Sequence, residues 1–148
     1  LDRFMYLVNL DYPSFKEEVQ ILKQTTTGFN PSVSAVMKAE EVAMFQNVVR
    51  EVPVPDSVFE YVVGLVNKSR PASENKEAQT YIAYGAGPRA GQNLILGAKC
   101  HALMNGKFSV DKEDVQAVAK WVLSHRVVLN FKAEAEGIKI QEIIQNWI

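Results

Sequence analysis

Cysteine is nearly absent. Cys100 is the single one in 148 residues, which excludes an internal disulfide framework and fits a reducing compartment, with the cytoplasm as the expected location. Histidine is scarce too, with two residues. His101 adjoins Cys100, so on a helix the two side chains point about 100° apart, and no second Cys or His stands at ligand spacing; no metal site is expected. No apolar run approaches the roughly 18 residues of a membrane span, and the opening "LDRF" lacks the long apolar stretch of a signal peptide. A soluble chain without a membrane span is expected. Neither sign of charge dominates: 16 basic against 17 acidic residues leave −1, so no global field draws the chain to nucleic acid or to an anionic membrane. Any anion site must be local. The pattern G-x-x-x-x-G-K-[ST] occurs nowhere, which excludes a Walker A phosphate loop. Repeats and low-complexity segments are missing, and so is an initiator Met; the chain reads as a piece of a longer protein.

What is present is ordinary globular material, long enough for one core. "FMYLVNL", residues 4–10, is rich in aromatic and branched residues and predicts a strand buried on both faces. "DYPS" punctuates, and Ser14 with Glu17 forms a capping box that opens a helix with Phe15, Val19 and Leu22 on one side. After a loop, residues 39–52 place Val42, Phe45, Val48, Val49 and Val52 at helical spacing. Asp56 or Ser57 can cap the next helix, with Phe59, Val62, Val63 and Val66 inward, until Arg70-Pro71 ends it. "PASENKEAQ" reads as a polar loop and "TYIAY" as a short β-like stretch. A helix is expected from Pro88 to about Asn105, another behind Asp111, and a last short one over residues 139–147.

The segment "YGAGPRAGQN", residues 84–93, carries the candidate site. Gly85 and Gly87 loosen the backbone, and Pro88 suits the first helical position, where its missing N–H is no loss. "GAGPRA" also satisfies G-x-G-x-x-A, the dinucleotide fingerprint. However, Pro88 and Arg89 occupy the place where pyrophosphate must approach bare backbone, no third strand follows, and Asp111 is better read as a cap than as a ribose ligand. Arg89 itself stands in a first turn, where the dipole disfavours a cation by about 0.3 to 1 kcal/mol. Side chains on a helix lean toward its N-terminus, so the guanidinium and the exposed N–H groups can form an anion receptor together. From the residues alone, a solvated surface arginine that tolerates the small dipole penalty is the favoured reading, and the question stays open.

In order and approximate spacing, "LDRF" with its strand and "DYPS", then "EEV", "VVREV", "GAGPRA", "VDKEDV" and "SHRVVLNFKAEAEGI" give a composite that resembles the MoxR family of AAA+ ATPases over nearly the whole chain. The resemblance implies a mainly α fold: an AAA+ C-terminal helical lid bundle of five or six helices over residues 13–148, preceded by residues 1–12 as one residual strand, the last of the nucleotide-binding core. It implies that Arg89 is the sensor-2 arginine, which reaches the ATP γ-phosphate from a turn made by Gly87 and Pro88. It implies that Arg3 is the catalytic arginine finger, acting in trans on a neighbouring subunit. ATP and Mg belong to the intact protein, and this chain alone should bind neither tightly. The implied partners are further copies in a homo-oligomeric, hexameric ring and client proteins, von Willebrand factor A-domain proteins among them, that the ATPase remodels or activates. Two positions depart from the family pattern: Gly87 stands where Ser is usual, and Lys38 where Ser or Thr often caps the second helix.

Other candidates read as structural. His125-Arg126 ends a helix, where cations suit the dipole, with a contact from Arg126 to the core or the next subunit as the alternative. "KAEAEG", residues 132–137, reads as a solvated connection or as an acidic docking surface. Trp121 and Trp147 fit apolar helix faces. Two further functions compete with the MoxR-type lid: a non-catalytic helical interaction module, and the lid of a related magnesium-chelatase-type AAA+ protein.

Overall fold

In the computed structural model, which describes residues 1–28 and 30–148, helices begin where the sequence supplies a cap. At the head of α1 (Phe15–Thr26) the Ser14 hydroxyl accepts the Glu17 N–H at 3.4 Å, and the Glu17 carboxylate accepts the Ser14 N–H at 2.7 Å. At α2 (Ala39–Glu51) Lys38 offers no side-chain acceptor; Glu41 reaches back to the Lys38 N–H at 2.7 Å instead. α3 (Asp56–Lys68) starts earlier than a capping Asp56 or Ser57 would allow, because Pro55 holds the cap position and Asp56 lies in the first turn, where its charge suits the dipole.

α4 (Lys76–Tyr81) begins inside the polar stretch expected as a loop and takes in Thr80 and Tyr81 of the stretch expected as β-like; Asn75 caps it, its side-chain oxygen accepting the Glu77 N–H at 3.0 Å. β1 (Ile82–Tyr84) follows. α5 (Pro88–Met104) and α6 (Lys112–Leu123) lie where expected, α6 behind Asp111, which accepts the Asp114 N–H at 3.1 Å. β2 (Val128–Leu129) pairs antiparallel with β1, Ile82 opposite Leu129. α7 (Phe131–Ala135) occupies most of "KAEAEG": Asn130 caps it and Ala133 is fully buried, while its flanking residues are exposed. The solvated connection is therefore a helical turn pinned by one small residue. α8 (Ile140–Trp147) closes the order. The protein is mainly helical, with eight helices among the described residues against five or six expected. The extra ones are short.

α5 packs along α6 at the centre, where Ala98, Ala102 and Ala119 have no exposed surface and small side chains let the two backbones approach. Leu65 of α3, Leu94 of α5 and Ile143, Ile144 and Trp147 of α8 fill the rest of one cluster. Trp147 Nε1 donates to Glu77 at 2.9 Å, tying α8 to α4. Trp121 remains 40% exposed.

Three expectations about burial are corrected. α3 buries Val58, Val62, Leu65 and Val66, leaving Phe59 and Val63 exposed; the helix is apolar on so much of its circumference that the sequence does not single out the inner face. α1 and α2 bury no residue within their bounds; Val19 and Val49 are half-buried, α2 lies against α5, and of the predicted stripes only Val52, just past α2, is buried. Residues 4–10 form no strand. A doubly buried strand needs a ladder on each side, and here Leu7 N–H donates to the Trp121 carbonyl at 2.9 Å while side chains take the Phe4 and Met5 carbonyls.

Candidate functional site

The turn ahead of α5 is built against the end of α3. Ser69, fully buried, donates its hydroxyl to the Val66 carbonyl at 2.6 Å and accepts the Ala86 N–H at 2.9 Å. Arg70 Nε donates to the Ala86 carbonyl at 3.4 Å. A Cβ on Gly85 would stand 2.5 Å from the Ser69 carbonyl oxygen and 2.7 Å from the Arg70 Cα. Only glycine permits that approach. Gly87, the N-cap, is extended with φ −91° and ψ −179°, makes no side-chain cap, and has open space where a Cβ would be. Pro88 occupies the first helical position, as expected, and Arg89 follows it in a first turn without any acidic residue.

Arg89 leans past the helix end, as first-turn geometry dictates. Its Nη1 lies 3.3 Å from Asp2 Oδ2, both side chains about half exposed. The other oxygen of the same carboxylate accepts from Arg126 Nε at 3.1 Å. Arg126 lies in the turn that follows α6, and its side chain is 1% exposed. The guanidinium also donates to the carbonyls of Asp2 at 3.0 Å, Phe4 at 2.5 Å, Met5 at 3.2 Å and Val122. Arg3 itself is exposed, on a turn closed by the Phe4 N–H and the Leu1 carbonyl at 3.0 Å. The structure thus brings the Arg3 turn beside Arg89 through Asp2, 87 positions away in sequence. A cleft of about 850 Å³ opens alongside, between α3 and α5, lined by Phe59, Val63, Pro88, Gly91 and Ile95.

Four contributors escaped the sequence reading. Ser69 had no signal, because a buried serine after a helix looks like any polar residue. Arg70 was legible only as a boundary before Pro71. Asp2 had one signal, its place inside "LDRF". Arg126 shows both readings offered for it: it donates to the Val122 carbonyl in the last turn of α6, as a cap, and its remaining contacts go to residues 2–5, the segment assigned to the core.

A second polar cluster lies away from this turn. Asp114, fully buried, accepts from Lys107 at 3.1 Å and sits 2.7 Å from His101 Nδ1, and Lys107 also donates to Asp111 at 2.8 Å. The Lys107 ammonium beside Asp111 holds that carboxyl below the usual range, and the Asp111 carboxylate raises Lys107 in turn. These contacts pin the α5–α6 connection. Among the described residues no three His, Cys, Asp or Glu side chains are grouped to hold a metal, and no helix is long and apolar enough to cross a membrane.

Residues 74–147, half of the chain, match the AAA lid domain family; the match takes in the Gly85–Arg89 turn and all of α5 to α8. Two curated proteins match nearly the whole chain. An uncharacterized Bacillus subtilis protein, YeaC, is 31% identical over 146 residues, which is 98% of this chain and 43% of that protein. Chaperone MoxR1 of Mycobacterium tuberculosis is 30% identical over 145 residues, 97% of this chain and 38% of that one. A crystal structure from Cytophaga hutchinsonii, named a "putative ATPase", is 34% identical and superposes with a TM-score of 0.86, covering 99% of this chain and 45% of that one. The chain spans less than half the length of the curated relatives it matches.

Proposed function

Because the chain belongs to the AAA lid domain family, in the form found in MoxR-type AAA+ ATPases, we propose that it closes over ATP held by a nucleotide-binding core and reads the γ-phosphate through Arg89. Residues 1–12 belong with that core in this reading. Arg3 then acts as the arginine finger toward a neighbouring subunit of a hexameric ring, and lid movement drives chaperone-like remodelling of client proteins in the cytoplasm.

The observation that carries this reading is the Arg89–Asp2 pair. A half-exposed guanidinium in the first turn of a 17-residue helix already engages an anionic oxygen beyond the helix end. The lid side of the site suits a phosphate. The open space at Gly87 leaves the backbone approachable, and no carboxylate in the first turn repels an anion. Bound ATP supplies the phosphoryl group whose transfer the two arginines favour by neutralising charge; such arginines are worth about 10³ to 10⁵ in rate in GTPase systems. The Mg ion finds no acidic cluster here among the described residues and in this reading is held by the core.

The test is Arg89→Ala in the full-length ATPase. Turnover or nucleotide affinity should fall by about 10²-fold or more, while the melting temperature stays close to wild type, since an exposed pair contributes about 0 to 1 kcal/mol. Unchanged turnover and affinity would show that Arg89 is a surface residue.

A further inference from the structure

All five N–H donors of a guanidinium are used at Arg126. One pair of contacts goes to Asp2, through its carboxylate at 3.1 Å and its carbonyl at 3.0 Å; two go to the Phe4 and Met5 carbonyls at 2.5 and 3.2 Å; the last goes to the Val122 carbonyl in the last turn of the preceding helix, α6. Four of the five acceptors therefore belong to residues 2–5, on both flanks of Arg3. Other groups secure the same segment. His125 Nε2 donates to the Phe4 carbonyl at 2.9 Å, the Leu7 N–H donates to the Trp121 carbonyl at 2.9 Å, and the Tyr6 hydroxyl occupies the space that a side chain on Gly97 would take. The charge on Arg126 is buried and meets a carboxylate at Asp2. A buried guanidinium that loses its acceptors is strongly destabilised, so the arrangement favours the turn staying in place.

We infer that Arg126 is the positioning residue for Arg3: it grips both flanks of the Arg3 turn and fixes them to the end of α6, so that the direction of Arg3 follows the lid. This rests on the proposed role of Arg3 as a finger acting across an interface. Arg126 touches no nucleotide in this scheme. Its own subunit keeps Arg89 when it is lost, with Asp2 left to that arginine, and the larger defect appears in the neighbouring site that Arg3 serves.

That displacement of the defect supplies the test, in the full-length ATPase. Arg126→Gln rings should keep KM for ATP within about fivefold of wild type, the ceiling for Asp2 turning wholly to Arg89, while kcat falls about 10²-fold, the scale of a misplaced catalytic group. Rings that mix Arg126→Gln subunits with Arg89→Ala subunits should turn over faster than the sum of the two homogeneous rings. In them an intact own-site meets a correctly held Arg3 from next door. A lid that was merely loosened would damage its own site and give no such recovery. Arg126→Lys keeps the charge for Asp2 but cannot reach the Phe4 and Met5 carbonyls together, so its kcat should fall between wild type and Arg126→Gln. Should Arg126→Gln fail to assemble, Arg126→Lys reads the same complementation. Wild-type kcat in both variants, or mixed rings no faster than the sum, would overturn the positioning role. Arg3→Ala mixed with Arg89→Ala separates the two failures. If that pair complements and the Arg126 pair does not, only the positioning role is wrong; if Arg3→Ala turns over as wild type, the finger reading fails and this inference with it.

Discussion

Asp2 Oδ2 lies 3.3 Å from Arg89 Nη1, and the two side chains are about half exposed. The carboxylate therefore occupies the direction in which a first-turn arginine would meet a phosphate. Asp2→Asn removes the competing charge while retaining an oxygen that can accept from Arg126 Nε. Nucleotide affinity of the full-length protein should rise, by at most about fivefold, the equivalent of the 1 kcal/mol ceiling for an exposed pair. Titration with a non-hydrolysable ATP analogue checks this, and weaker binding would contradict the competition.

Gly87 invites the opposite kind of change. Its backbone is extended, its side-chain space is open, and α5 has no side-chain cap. Gly87→Ser should add a hydroxyl acceptor for the first-turn N–H groups and stabilise the fold by roughly a few tenths of a kcal/mol. Thermal unfolding of the variant beside wild type measures it; a lower melting temperature would mean that the serine cannot reach those groups.

Gly85 is far less tolerant. Gly85→Ala drives a methyl group into the Ser69 carbonyl and the Arg70 Cα, both backbone atoms. A loss of about 1 to 3 kcal/mol is expected, the usual range for overpacking. Ser69→Ala should lose a similar amount, about 1 to 3 kcal/mol, by leaving the buried Ala86 N–H without its acceptor. Urea unfolding of the two variants distinguishes a turn pinned at both points from one that can shift.

The contacts of Lys107 with Asp111 and Asp114 should make stability depend on pH at both ends. Asp111 is held below its ordinary value, chiefly by the Lys107 hydrogen bond, so its contribution is complete above the unfolded carboxylate pKa of about 3.9 and is lost as pH falls through the lower folded value. Lys107 is raised, chiefly by Asp111; its contribution is complete below about 10.4 and is lost as pH rises through the higher folded value. Lys107→Met should therefore lower the melting temperature most in the neutral window, with the deficit shrinking toward strong acid and strong base. A deficit independent of pH would assign the effect to packing.

Local signals were legible where one residue decides the outcome. Ser14 with Glu17, Asp111 before α6 and Pro88 at the start of α5 each place a helix end by a short-range bond or a fixed φ. The presentation of Arg89 followed from its first-turn position. What escaped depends on contacts across the chain. α4 needed Asn75 to be recognised as a cap within a polar stretch, and it is held by Glu77 meeting Asn146 and Trp147 of α8. The fate of residues 4–10 depended on what lies beside them: the run that would fill a sheet meets α5 only through Tyr6 at Gly97 and α6 through the Leu7 N–H at the Trp121 carbonyl, and Phe4, Val8 and Leu10 stay exposed. Arg126 was the least legible, because its burial depends on residues 124 positions earlier.

A carboxylate has one unit of charge to distribute, and Asp2 distributes it between two arginines of very different exposure. Any anion that draws Arg89 away leaves Asp2 more completely to Arg126, and by thermodynamic reciprocity whatever tightens Asp2 on Arg126 makes Arg89 easier to draw away. The two arginines are thus linked as members of one equilibrium through a third residue.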